Sequence, residues 1–484
     1  MISMLAVLIW PAVVFWLFAS RPPAVAVPAA IVGAYLLLPG NFSIELPAVP
    51  SLDKDSIPAL TAVLAAMLMI QGPRLQGLAP GLVLPGWVPR SRMVRILFAV
   101  MLFGAVATVL TNTDTLRYGP TTLPALRIYD AASFLGTTLF TLLPLVLARK
   151  YLAHPDAQRV LLMSLVAAGI AYSLLALYEV RFSPQLSRMI YGYFPHDWRQ
   201  HLRAGGYRPV VFLSHGLWLA IFFCSAFLAA MALWRSSTGT VRTRWLAASA
   251  WLFMILVLSK GVGALVIGLL LGSMILFLPI RWQVVGAALI AGAILTYPML
   301  RGADLVPTAK ALELAGQYDS GRQDSLRTRF DNEDVLLEKA NLRPAFGWGG
   351  WGRNRAFDEN GNDISVTDGR WIIVIGTRGW IGYLAEFGLL LLPMIFLGLR
   401  WKQLALTPAT AGLGLALTAN MIDLIPNATL TPVTWLLAGA LAGRLELGRI
   451  ADTAGAPLPP GPEARRNAYT RQTRRHPPRG VPAE

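Results

Sequence analysis

Apolar and polar positions fall in long blocks along this chain, with neither the strict alternation of a half-buried strand nor the one-sided stripe of a soluble helix. Thirteen apolar stretches stand out, at roughly 2–19, 24–39, 58–71, 93–111, 131–148, 160–178, 210–234, 245–259, 261–279, 283–300, 379–399, 403–421 and 428–444. Most approach the ~20 residues that a helix needs to cross a bilayer. Inside hydrocarbon every backbone N–H and C=O must be satisfied within the protein, which a helix does and an isolated strand does not. The pattern therefore predicts an all-α, polytopic integral membrane protein with about 12–13 transmembrane helices. The first stretch has no basic flank and carries Pro11, so it reads as a retained span and not as a cleaved signal peptide. Composition agrees: 55% of the 484 residues are hydrophobic and 14% charged, with mean hydropathy +0.54, which leaves no room for a sizeable soluble domain.

One interruption is far longer than a connection between helices requires. Residues 301–378 carry eleven bases against twelve acids, so the segment is nearly neutral and charge repulsion does not force it into disorder. The chain thus divides into N-terminal spans over 1–300, a large external loop over 301–378, C-terminal spans over 379–444 and a disordered basic tail over 445–484. Within the loop, 324–341 reads as an amphipathic helix capped by Asp324 or Ser325. Leu326, Phe330, Leu337 and Ala340 share a face suited to packing on the membrane domain, and Arg343-Pro344 closes the helix.

The net charge of +16 invites a nucleic-acid partner, but where the bases fall gives a better account. They collect at alternate ends of the spans: Arg21; Arg74, Arg90, Arg92 and Arg95; Arg149, Lys150 and Arg159; Arg235, Arg242 and Arg244; Arg281; Arg400 and Lys402; Arg444 and Arg449. The positive-inside rule makes those ends cytoplasmic. The Pro-rich tail then touches anionic lipid, membrane lipids are the partner, and no nucleic acid is implied. Two places break the rule. One is the long loop; the other is 179–209, with Arg181, Arg188, Arg199, Arg203 and Arg208. An interfacial helix carried by Met189, Ile190, Tyr191, Tyr193, Phe194 and Trp198 explains the second. So does an anion to be gripped, since arginine binds phosphate bidentately; the two readings are compatible. Cys224 is the only cysteine, so neither an internal disulfide nor a cysteine metal cluster is expected.

Candidate chemistry concentrates in the loop. Gly347-Trp348-Gly349-Gly350-Trp351-Gly352 permits close backbone approach, and its tryptophans either stack on a sugar ring or anchor a turn at the membrane surface. It is not a P-loop, because no Gly-Lys-Ser/Thr follows. Asp368 and Arg370 directly precede the apolar residues Ile372 to Ile375, which puts them near the outer membrane face. Asp368 reads as a general base or, more simply, as an N-cap or an ion pair with Arg370. Lys260, between two apolar runs, needs a partner, a water-filled cavity or a path to the interface. His215 and Glu386 read as interior hydrogen-bonding groups. Asp423, Asn420 and Asn427 fall at the last external turn. No acids or histidines stand at metal-ligand spacing, so no metal and no cofactor are expected.

From about Arg208 to Gly382 the chain resembles the O-antigen ligase and O-antigen polymerase-like membrane glycosyltransferases. The residues that carry the resemblance are Arg208-Pro209, Ser259-Lys260, Ser325-x-Arg327, Pro344-x-Phe346-Gly347-Trp348-Gly349 and Gly379-x-x-Gly382. Lys260 stands where an arginine is usual, and Asp368 where the family has a histidine that acts as base. SEDS peptidoglycan polymerases, similar in architecture, also use an external-loop aspartate. The resemblance implies an inverting, metal-independent transfer of a glycan from a polyprenyl pyrophosphate-linked donor to a glycan acceptor, at the outer side of the cell inner membrane. It implies Asp368 as the base. Arg208, Lys260 and Arg370 would hold the pyrophosphate, with Arg203 and Arg378 in reserve, and Trp348 and Trp351 would form a sugar platform. The alternative class is a transporter of lipid-linked oligosaccharide or polysaccharide. Against it stand the gathering of cations at one face and the lack of an internal repeat.

Overall fold

The computed structural model describes residues 1–46, 49–69, 83–195, 197–203, 205–318 and 320–448; the basic tail from 449 onward lies outside them. The helices are α1 (Ile2–Ser20), α2 (Pro23–Leu37), α3 (Ser56–Met69), α4 (Arg92–Leu110), α5 (Ile128–Tyr151), α6 (Pro155–Phe182), α7 (Leu186–Tyr191), α8 (Gly216–Arg235) and α9 (Gly239–Leu258). They continue with α10 (Val262–Phe277), α11 (Ile280–Gly302), α12 (Thr308–Tyr318), α13 (Ser320–Asn341), α14 (Arg370–Leu399), α15 (Trp401–Leu404), α16 (Pro408–Asp423) and α17 (Pro432–Leu447). Three small antiparallel hairpins complete the described residues: β1 (Ile44–Leu46) with β2 (Val49–Leu52), β3 (Leu116–Tyr118) with β4 (Thr121–Leu123), and β5 (Leu202–Arg203) with β6 (Gly206–Tyr207).

Each of the thirteen apolar stretches coincides with a helix. Eight of them, α1, α4, α5, α6, α8, α9, α11 and α14, are long and apolar enough to cross a membrane. The protein is an all-α, multi-pass membrane protein. Protein covers 89% of the apolar window of α8 but only 22% of those of α1 and α9, so α8 is central and the other two face lipid. α16 and α17 are likewise buried along nearly their whole length.

Lipid is as apolar as a leucine side chain, so helices associate here through close packing and interhelical hydrogen bonds. On α17, Gly439 and Gly443 form a small-xxx-small stripe against α5. A Cβ at these positions would lie 2.3 Å from the Leu145 carbonyl oxygen and 2.5 Å from that of Arg149. Polar ties cross the core as well: Thr410 donates to Gln158 (2.6 Å), and Asn420 bridges Ser225 (2.7 Å) and Thr434 (3.1 Å).

The connections gather at two ends. At one, Arg149 pairs with Glu446 (2.5 Å) beneath the backbone of Arg90 and Ser91, and Arg159 holds Ser236 and Ser237. These are the base-rich ends picked out by the sequence. The other end carries all three hairpins, the 183–215 segment, the 303–369 segment and the 424–431 turn. They touch one another: Arg343 to Asp114, Thr121 to the Gly361 carbonyl, Lys260 to the Arg203 carbonyl, and the Arg370 N–H to Leu424.

Several helix starts differ from the apolar pattern. α14 starts at Arg370, not near 379, because two arginines enter the helix with a shared carboxylate. α8 starts at Gly216, not at 210, because 210–212 is held as a loop by α6. α13 starts at Ser320, ahead of the cap expected at Asp324 or Ser325, and polar α12 precedes it where no helix was foreseen.

Candidate functional site

Glu179, in the last turn of α6, is fully buried and organises the segment that follows. Its carboxylate accepts the N–H groups of Leu186 (2.9 Å), Val210 (2.8 Å) and Val211 (2.7 Å), while the Tyr172 hydroxyl accepts that of Phe212 (3.1 Å). Val211 is thereby kept at φ 57°, a left-handed conformation that is costly for a β-branched residue and that survives only where its surroundings over-determine it. Arg208 is fixed just ahead of this anchor. It is 3% exposed, and its Nε has no hydrogen-bond partner among the described residues. The side chain lies along Gly216 at the first turn of α8, where a Cβ would be 2.7 Å from Nε. Burial, helped by Arg203 and opposed by Asp423, pulls Arg208 down to about 10, so it is still cationic at neutral pH. A guanidinium set against the positive end of a helix dipole is a place for an anion. His215 caps that helix by accepting the Leu217 N–H (3.1 Å), and the ring of His201 lies 5.2 Å away.

Lys260 occupies the turn between α9 and α10 at φ 54° and donates to the Arg203 carbonyl at 2.7 Å. Arg203, Arg208 and Lys260 therefore come together around the β5–β6 hairpin. The α7 region of the same segment leaves Met189 and Ile190 exposed, as an interfacial anchor requires.

The Pro344-to-Gly349 motif docks backbone to backbone on a break in α14. Gly379 has φ 69° and ψ −177°, so the helix opens there. The freed Gly376 and Thr377 carbonyls accept the N–H groups of Trp348 (2.8 Å) and Gly349 (2.9 Å), and the Trp380 N–H returns to the Pro344 carbonyl (2.7 Å). Approach is so close that a Cβ on Gly379 would stand 2.3 Å from the Ala345 oxygen. The early loop joins in: Asp114 pairs with Arg343 (2.7 Å) and Arg353 (3.3 Å), and Arg343 holds its carboxyl below the usual range. Trp348 is 6% exposed, with Lys339 Nζ 3.9 Å and Arg343 Cζ 4.2 Å from its ring. Its ring is occupied, so of the two platform tryptophans only Trp351, 70% exposed, offers a free face.

Asp368 and Arg370 part company. Asp368 is 3.5 Å from Arg329 on α13, its side chain 44% exposed, beside a cavity of about 80 Å³. Gly369, not Asp368, is the N-cap of α14. Arg370 instead turns into the helix, where Glu386 takes it bidentately (2.7 and 2.9 Å) and also binds Arg378 (3.2 Å). The simpler readings of Asp368, as N-cap or partner of Arg370, are thus both replaced by Arg329, which lies one helix away and is invisible to local spacing. Asp423 accepts from Asn427 (3.0 Å) and Thr429 (2.5 Å) and lies within electrostatic reach of both Arg208 and Arg329. It thus stands between the cation cluster and Asp368.

Arg370 also lines a cleft of about 480 Å³ formed by residues 50–56, α5 and the start of α17, together with Asp53, Asp55, Phe140, Trp218 and Thr431. Asp55 Oδ1 is buried and has no hydrogen-bond partner among the described residues. Burial pushes it up to about 6, with Lys54 opposing and Asp53 assisting. Lys54 is 5% exposed, its Nζ 5.8 Å from the centre of the Tyr35 ring, which stacks on Trp218. Lys54, Asp55 and Trp218 escaped the reading of the sequence. The one available signal was a Lys-Asp pair immediately before an apolar stretch.

Among the described residues no three His, Cys, Asp or Glu side chains gather as metal ligands. What fold and site define is a multi-pass all-α membrane protein with a cleft and a cluster of cations around the buried Arg208 on one face. No family model and no curated protein matches this chain.

Proposed function

We propose that the protein is a membrane glycosyltransferase, moving a glycan from a polyprenyl pyrophosphate-linked donor to a sugar hydroxyl in cell-surface polysaccharide assembly, as a polymerase or a ligase. The cleft-bearing face is the outer side of the cell inner membrane, and the base-rich ends and C-terminus are cytoplasmic. The observation that supports this reading most is the Arg208 guanidinium: buried, without a partner for Nε, and set against the N-terminus of α8. Burying a guanidinium N–H without an acceptor is costly, and a phosphate oxygen supplies the acceptor that Nε lacks.

Arg208, with Arg203 and Lys260 beside it, holds the pyrophosphate and stabilises it as it leaves. The donor is already activated, so the protein supplies cations for the leaving group, a base for the acceptor and a groove for lipid. Asp368, beside Arg329, is the base that the resemblance points to, and Trp351 gives a sugar its stacking face. Displacement in one step inverts the anomeric centre. Arg370 and Arg378, committed to Glu386, shape the site from behind.

The test compares wild type with Arg208→Ala at equal membrane levels, reading the glycans made in cells. We expect transfer to fall about 100-fold or more and to be unaffected by chelator in the wild type. Loss of long chains with single repeats retained identifies a polymerase; accumulation of free lipid-linked polymer identifies a ligase. Wild-type glycans from Arg208→Ala, or movement of lipid-linked glycan across the membrane with no bond made, defeats the proposal.

A further inference from the structure

We propose that the cleft between residues 50–56 and the start of α17 seats the acceptor sugar, and that Asp55 takes the proton from its attacking hydroxyl; this rests on the glycan-transfer reading above. The cleft, at about 480 Å³, is of ligand-binding size, whereas the cavity beside Asp368 measures about 80 Å³. Its walls suit a sugar: Trp218 and Phe140 offer faces for ring C–H groups, and Asp53, Asp55, Thr431 and Arg370 offer hydrogen bonds to hydroxyls. Its charge disfavours a phosphate, because two carboxylates line it and its one guanidinium is already engaged bidentately by Glu386. A neutral polyhydroxylated ligand fits, and the lipid pyrophosphate is left to Arg208.

The two candidate bases differ in what holds them. Asp368 is part-exposed and already engaged by Arg329 at 3.5 Å. Asp55 Oδ1 has no hydrogen-bond donor among the described residues, and the groups around Asp55 are Lys54, Asp53, the Tyr35 hydroxyl and, lining the same cleft, Arg370. Burial raises its proton affinity, which is what a general base near neutral pH needs. In the step, the acceptor oxygen forms a bond to the anomeric carbon and its proton passes to Asp55. The bond from that carbon to the donor phosphate breaks, and its electron pair leaves with the lipid pyrophosphate.

The experiment is steady-state transfer by the full chain in nanodiscs, with a synthetic polyprenyl pyrophosphate-linked oligosaccharide as donor and an oligosaccharide acceptor. Asp55→Asn should lower kcat by about 100-fold or more with the acceptor KM within a few-fold of wild type. Wild-type kcat/KM should rise with pH through about 6, and formate should restore part of the activity of Asp55→Ala. The wild-type pH profile stands even if the variants fail to fold. Near-normal kcat in Asp55→Asn, or a wild-type profile flat between pH 5 and 7, overturns the assignment of Asp55 while leaving glycan transfer intact. A wild-type protein that transfers nothing overturns glycan transfer itself, and this assignment with it.

Discussion

Glu386→Gln tests how the arginines at the start of α14 are tolerated inside a membrane helix. The Glu386 side chain is 0% exposed and serves two guanidinium groups, Arg370 through two hydrogen bonds of 2.7 and 2.9 Å and Arg378 through one of 3.2 Å. Glutamine keeps the shape and one acceptor oxygen but removes the charge, leaving two part-buried cations without their shared carboxylate. Removing one partner of a buried ion pair costs roughly 3–5 kcal/mol, and two orphaned cations place this case near the upper half of that range. At roughly 1 °C per kcal/mol for a chain of this size, the apparent melting temperature should fall by about 4 °C. Cys224, the only cysteine and fully buried in α8, is a built-in reporter: a thiol-reactive fluorophore labels it as the bundle opens on heating. Replacing Arg370, Glu386 and Arg378 together by methionine should recover most of the loss, since an apolar isostere of a buried ion cluster is close to neutral for stability. A drop of under ~2 °C for Glu386→Gln, or a triple variant no better than the single one, would refute the reasoning.

Two further outcomes follow from the geometry. Gly379→Ala should abolish folded protein in size-exclusion profiles, because φ 69° is strained for alanine and its Cβ would meet the Ala345 oxygen at 2.3 Å; a well-folded variant would mean that the break in α14 is dispensable. Glu333 on α13 is 8% exposed, and its nominal partner Arg301, 3.7 Å away, is shared with Asp334 at 2.6 Å, so burial wins and raises the carboxyl to about 7. The folded state then holds this proton more tightly than the unfolded chain does. The contribution is complete below the ordinary carboxylate range and is lost as pH rises through about 7, a change of order 3 kcal/mol. Hydrogen exchange in 320–341 should therefore show protection that declines from pH 5 to pH 8, after correction for intrinsic rates, and that Glu333→Gln flattens. Protection that grows with pH in wild type but not in the variant would reverse the sign and sink the account.

How much was legible in the chain differs by kind of feature. The thirteen apolar stretches gave thirteen helices because hydrocarbon imposes one local rule, that a spanning segment satisfies its own backbone, and a run of apolar residues states that rule without reference to anything distant. The family-like Pro-x-Phe-Gly-Trp-Gly and Gly-x-x-Gly motifs were also readable. Their purpose, the close docking of residues 344–349 on the break at Gly379, appears only when the two segments meet. Spacing alone set Asp368 and Arg370 side by side near the outer membrane face. Folding sends one to Arg329 on α13 and the other to Glu386, because side chains two positions apart at a helix start diverge by more than half a turn.

The sequence by itself determined class, the places of thirteen apolar helices and the separation of a base-rich end from a polar one, all consequences of local hydrophobicity and charge. Only tertiary structure decided which ionisable groups are buried and which have partners. Lys54 and Asp55 lie in an early loop, Arg208 in the middle of the chain and Asp423 near its end, yet they share one face. Partnering is a property of distances between segments far apart along the chain, and hydropathy, which is summed over neighbours in sequence, carries no record of it.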